Sequence, residues 1–356
     1  MSIVSQIARL QQAKADIKTA IENKGVSVST NTKLDDFPAL IDNIPSGGGD
    51  DIDSFIDRTI TSCENSKITR VGVYAFAYCL SLTSVNFPNC TSIRWCAFDN
   101  CYSLASVSFP ECTIIDNSAF LSCSSLTSVS FPKCTSIGWC VFSSCRSLTS
   151  VNFPECTIVG SKAFENCSNL TSVSFPKCIS IGSSAFRSCS ALTLASFPEC
   201  TYMGFSAFLH CRSLTEANFP KCSIINEFTF YWCSKLASVS FPVCTSIGTY
   251  AFLSCSSLIS VNFPECTYIG TSAFEDCKSL SYINLSKCES IGRYAFRDCT
   301  SLTDLYIGTS NCILDTSNAF TSVSLSTLSI CVPVSYADAY KSSTNWSYFS
   351  SRIFGV

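Results

Sequence analysis

Twenty-six cysteines and one histidine, His210, are the residues of this 356-residue chain most capable of chemistry. Thiolates and imidazole together suggest metal binding, but no Cys-x-x-Cys pair occurs, and the single His210 offers no Cys/His set. The cysteine count would suit a disulfide framework in a short secreted chain. Here the chain is long, and the start MSIVSQIARLQQAKADIKTA lacks a basic segment followed by an apolar one. Twenty-two of the cysteines also fall in two regular columns, Cys79, Cys101, Cys123 to Cys299 and Cys90, Cys112, Cys134 to Cys288 with Cys312. Thiols stacked this way have parallel Cβ vectors at strand spacing, whereas a disulfide needs Cβ atoms about 3.8 Å apart. Both columns are therefore expected to be buried, reduced thiols. Cys96 and Cys140 lie outside the columns, in a turn position, and are expected to be partly exposed. With no Gly-x-Ser-x-Gly elbow and no phosphate-binding glycine loop, the sequence points away from an enzyme and calls for no cofactor or metal.

The cysteines are positioned by a repeat. Phe76, Phe98, Phe120 and their successors to Phe296 stand 22 residues apart, and a last step of 24 reaches Phe320. Around each, the unit reads Ala-Phe-x-x-Cys-x-x-Leu-x-x-Val-x-Phe-Pro-x-Cys-x-x-Ile-Gly. Leu126-x-x-Val129-x-Phe131 alternates as a half-buried strand does. Pro132 has no N–H to continue a ladder and closes it. Gly138 and its equivalents are expected to give a turn its backbone freedom. Each unit is one coil: a strand, a corner, a second irregular side and a return. One coil cannot bury its apolar residues alone, so coils must stack into a continuous core.

This phrase resembles a leucine-rich repeat, and Ala-Phe-x-x-Cys-x-x-Leu-x-x-Val resembles the BspA-like bacterial subclass over about residues 52 to 333. The resemblance implies a mainly β solenoid, a right-handed superhelix with a parallel sheet on one face. It also makes FIDRTITSCENSKITRVGVYAF a degenerate opening coil and residues 334–356 a C-terminal cap.

The surface columns are less uniform. The outward strand positions are mostly Thr, Ser and Asn, a polar face of good strand formers. The residue after proline alternates Glu111, Lys133, Glu155, Lys177, Glu199, Lys221, then Val243, Glu265, Lys287. Opposite charges one rung apart attract, and a one-coil slip would bring like charges together. Beside the repeating Phe, apolar residues cluster in successive coils: Phe205, Leu209, His210, Phe228, Tyr231, Trp232, Tyr250 and Leu253. They are candidate contacts for a partner, or else corner packing.

Residues 1–45 read as a separate helical module for attachment or oligomerisation. A helix is expected over residues 2 to 23, with Ile3, Ile7, Leu10, Ile17 and Ile21 on a heptad seam, and a second from Leu34 to Asn43. PSGGGDD reads as a linker, taken as residues 46–51. This module resembles N-terminal segments of tail and virion proteins of gut bacteriophages. The resemblance implies a virion location, with the module joined to virion structural proteins, possible self-association, and a solenoid that recognises a host-surface protein or glycan. A bacterial cell-surface adhesin and an intracellular scaffold are the alternatives. Net charge is −3 with 14% charged residues, so no nucleic-acid partner is expected, and no apolar run is long enough for membrane insertion.

Overall fold

The computed structural model describes residues 51–52 and 58–356, and everything below refers to those residues. The heptad seam and both expected N-terminal helices lie outside them.

Each 22-residue unit makes one turn of a solenoid, and each residue pairs with the residue 22 further on. Ser128–Ser130 runs parallel to Ser150–Asn152, Ser128 opposite Ser150 and Val129 opposite Val151. All pairings in the solenoid are parallel. The expected strand is present, but the opposite side is not irregular. It carries a second parallel ladder of two-residue strands such as Ser136–Ile137 and Ile158–Val159, eight in one sheet and five in the next. In these strands from Arg70–Val71 onward the first residue is the more exposed and the second, such as Ile137 or Val159, is buried. Two residues are too few for alternation to show in a sequence.

The interior is a set of single-residue columns. Phe76 to Phe320 stack with ring centroids 4.9 to 5.6 Å apart and planes 2 to 13° from parallel. A second Phe column packs beside it, as Phe153 does at 5.9 Å from Phe142. The ladder cysteines from Cys101 to Cys299 are buried thiols, none of them disulfide-bonded. In the first column each Sγ donates to the carbonyl of the Phe 25 residues earlier, at 3.0 to 3.2 Å. In the second, Sγ donates to the carbonyl two residues on, as Cys112 does to Ile114 at 3.2 Å. Cysteine thus combines an apolar, compact body with one weak donor for a buried carbonyl, which alanine lacks.

The turns hold two corrections. Gly138 and its equivalents have no left-handed backbone; the glycines are there for close approach. A Cβ on Gly160 would sit 2.5 Å from the Gly138 carbonyl oxygen, and one on Gly248 2.7 Å from the Glu227 nitrogen. Left-handed residues flank the first Phe column at two before and two after it, and none of them is glycine. Between these left-handed residues every second amide runs along the axis: Tyr74, Phe76 and Tyr78 donate to Trp95, Ala97 and Asp99 of the next coil at 2.7 to 3.1 Å. Cys96 and Cys140 occupy such positions, with φ of 52 and 55°. Both are buried, at 6 and 8% exposure, rather than partly exposed. Cys96 packs against Tyr74 and Ala77 under Trp95 and Tyr78. The more accessible thiols are Cys63 in the first coil and Cys331 near the last.

Pairs expected on the charge column are formed: Lys133–Glu111, Lys177–Glu155, Lys221–Glu199 and Lys287–Glu265 at 2.5 to 2.7 Å. At the C-terminal end Phe349 meets Phe320 edge-on at 5.2 Å, and Trp346 Nε1 donates to the Cys312 carbonyl at 2.7 Å. The Tyr340 hydroxyl accepts from the Cys312 amide at 2.8 Å and donates to the Thr309 carbonyl at 3.0 Å. These contacts cover the last Phe of the first column and use backbone groups that a further coil would have used.

Candidate binding site

The turn corner is where side chains are least constrained, because it serves neither sheet. Most coils place Ser, Asn or Asp at its left-handed positions, as small polar residues tolerate that backbone. Three consecutive coils place large rings there instead: His210 at φ 62°, Phe228 at 57°, Trp232 at 61° and Tyr250 at 58°. Such strain persists where surrounding structure imposes it. Here the axial amide ladder does so, with His210 and Trp232 donating to Tyr231 and Leu253 at 2.9 and 2.8 Å.

Five of the eight candidate residues form one ring cluster. Tyr250 stacks on Phe228 at 5.0 Å, Phe228 meets Tyr231 edge-on at 5.8 Å, and Tyr231 meets His210 edge-on at 5.8 Å. Trp232 lies 6.1 Å from His210 and 6.5 Å from Tyr231, and is 42% exposed. Arg212 stands over the Trp232 ring at 5.5 Å. Phe205 is 49% exposed and outside this ring network; Leu209 and Leu253 are half-buried beside it.

The cluster borders a polar groove of about 480 Å³ that sequence reasoning missed. Arg146 and Arg212 bound it, three coils apart, with Asn166, Arg187 and His210 along the side. Ser168, Ser188 and Ser190 complete its lining. None of the lining residues is a carboxylate, although the chain is net acidic. Arg187 leans on Glu165 at 3.7 Å, while Arg146 makes no ion pair. Arg146 and Arg212 share one repeat column, four residues after the repeating Phe, with Ser168 and Ser190 between them, and Arg187 joins from another column, so only coil stacking unites the three. Burial first, then the Arg212 and Arg187 guanidinium groups, hold the His210 imidazole below its ordinary value. Its buried Nδ1 has no hydrogen-bond partner. Ser188 and Ser190 are nearby, but that atom activates neither as a nucleophile. Among the described residues no group of three or more His, Cys, Asp or Glu is placed to hold a metal, and no helix is long and apolar enough to cross a membrane.

A family model described as BspA type leucine rich repeat region matches in six copies, over residues 53–158, 113–226 and 223–345. The chain belongs to the BspA-type leucine-rich repeat family. The 22-residue coil, with its cysteine columns and stacked Phe, is how this chain builds that repeat. Solved structures similar to this BspA-type chain include a leucine-rich repeat protein from Bacteroides ovatus, 27% identical, covering 71% of this chain and 80% of that one, TM-score 0.44. A leucine rich cell surface protein from Faecalibacterium prausnitzii is 24% identical, covers 83% of each chain and has a TM-score of 0.44. A leucine rich repeat protein from T. pallidum is 30% identical over 47% of this chain and 79% of that one, TM-score 0.39. No match was found among curated proteins.

Proposed function

We propose that this chain is a non-enzymatic binding protein of the adhesin kind, displayed at a bacterial cell surface. Its ligand is a host-surface protein or glycan held at the solenoid corner around Trp232. The observation that carries this reading is the ring cluster of His210, Phe228, Tyr231, Trp232 and Tyr250 on consecutive coils, four of them, all but Tyr231, at left-handed positions that most other coils give to Ser, Asn or Asp. Rigid aromatic surface at a rim is a common source of interface energy. Family membership supports a scaffold that displays surface rather than one that performs a reaction. The virion reading has no comparable support: its seam, Ile3, Ile7, Leu10, Ile17 and Ile21, lies outside the described residues, and the family match begins at residue 53. The same holds for attachment to virion structural proteins and self-association through residues 1–45.

The test is Trp232→Ala in the full chain, with adhesion to epithelial cells and thermal stability measured on the same preparation. Binding should weaken about tenfold or more, with the melting temperature nearly unchanged. Lost stability with undiminished binding per folded molecule would make the cluster corner packing and retire this reading.

A further inference from the structure

Resting on the adhesion reading, we propose that the groove beside the ring cluster is a subsite for an acidic polysaccharide, whose uronate carboxylates or sulfate esters are held by Arg146, Arg187 and Arg212. The groove is cationic in a net acidic chain and contains no carboxylate of its own. Guanidinium forks match carboxylate and sulfate oxygens with paired hydrogen bonds. Arg146 has no acidic partner, and Arg187 has a loose one at 3.7 Å. Arg212 is steered over Trp232, which fixes its stem and leaves N–H groups for the groove. The buried Nδ1 of His210 is a further polar atom awaiting a partner.

Length and lining favour a saccharide over other polyanions. Arg146 and Arg212 are three rungs apart, roughly 14 Å along the axis at strand spacing, which suits a short run of sugar residues. Between them lie Asn166, Ser168 and Ser190, an amide and two hydroxyls suited to ring hydroxyl groups. At one end Trp232 and Tyr231 supply flat faces for a sugar ring. An acidic peptide would want apolar pockets for alternate side chains, and the groove wall has none. A nucleic acid would want a longer basic track than three arginines.

The experiment titrates the full chain and the double variant R146Q/R212Q with four probes: a heparin hexasaccharide, an oligogalacturonate, neutral xylohexaose and polyglutamate. Heparin fragment and oligogalacturonate separate sulfate from carboxylate recognition. Binding of either acidic glycan, weakened about tenfold or more by R146Q/R212Q and by raised salt, is the expected result. Equal binding of xylohexaose would overturn the acidic subsite while leaving glycan adhesion standing. Polyglutamate binding as well as the glycans would overturn the saccharide class. No binding of either acidic glycan would overturn the proposal, while cell adhesion lost in Trp232→Ala would still uphold the wider reading. Circular dichroism of the double variant, whose two side chains are largely at the surface, confirms that the comparison is between folded proteins.

Discussion

Alkali should unfold this protein through its cysteines. Every ladder thiol from Cys112 to Cys299, eighteen at eleven-residue spacing, is pushed above the ordinary value near 9. The contact with Cys312 is the largest cause at Cys288, and burial is the largest at the others. Cys134 and Cys178 are pushed up to about 11, and Cys156, Cys244 and Cys266 to about 12. In the unfolded chain these thiols ionise near 9, so protons leave the unfolded state first. Stability is then complete below pH 9 and falls as pH rises towards the folded values of 11 to 12. Each thiol favours unfolding by about 0.4 kcal/mol at pH 9 and about 1.4 kcal/mol at pH 10. Over eighteen thiols that is about 7 and about 25 kcal/mol. At about 0.05–0.15 kcal/mol per residue, residues 58–356 are stable by roughly 15 to 45 kcal/mol. The midpoint is therefore expected between about pH 9.5 and 11, with a steep transition. The four exposed Glu–Lys pairs contribute at most about 1 kcal/mol each and cannot produce it. Far-ultraviolet circular dichroism followed together with thiolate absorbance provides the assay. Both signals should change at one pH. Thiolate appearing near pH 9 with the fold intact would refute the reasoning, as would a fold that survives pH 12.

Three further outcomes follow from the same packing. Phe142 stacks between Phe120 and Phe164 at 5.4 Å on each side, so Phe142→Ala should cost about 3–5 kcal/mol, with hydrogen exchange rising first in the adjacent coils. Gly160→Ala should lower the melting temperature, at a cost of about 1–3 kcal/mol, because its Cβ would meet the Gly138 carbonyl at 2.5 Å; an unchanged melting curve would contradict the close-approach role. Thiol labelling of native protein, read by peptide mass, should reach Cys63 and Cys331 before Cys96 or Cys140.

What could be read from the sequence was whatever repeats. The 22-residue spacing named the inward columns of Ala, Phe, Cys, Leu, Val and Ile, and the Glu/Lys alternation gave pairs that form at 2.5 to 2.7 Å. The second sheet escaped because Ser136–Ile137 and its equivalents are two residues long. The left-handed corner escaped because it carries Ser, Cys, Asn and aromatic residues where glycine would have marked it. That misreading also put Cys96 and Cys140 at the surface. The basic groove escaped for a different reason. Arg146, Arg187 and Arg212 lie 41 and 25 residues apart, and no column contains all three. Their proximity exists only once coils stack.

The location of the site follows from what the other faces must do. On both sheets the outward threonines hold the coils together: Thr149, Thr171, Thr193 and Thr215 each donate a hydroxyl to the carbonyl 22 residues earlier, at 2.9 to 3.2 Å, and Thr157 does the same on the short-strand side at 3.1 Å. A large ring substituted there loses a bond repeated along the array. Interior columns admit still less, since each ring of the first Phe column stacks on its equivalents and each thiol of the first cysteine column from Cys101 on bonds a Phe carbonyl 25 residues earlier. The left-handed corner differs. Its inter-coil bonds run from backbone to backbone, as from His210 to Tyr231, so the side chain takes no part in them. Branching at Cβ is disfavoured there by the backbone, but size and polarity are open. A chain of near-identical coils can therefore vary its surface at such positions without losing an inter-coil bond, and a groove spanning four coils needs changes in each. The rings at 210, 228, 232 and 250 and the neighbouring arginines meet that condition without disturbing a single interior column.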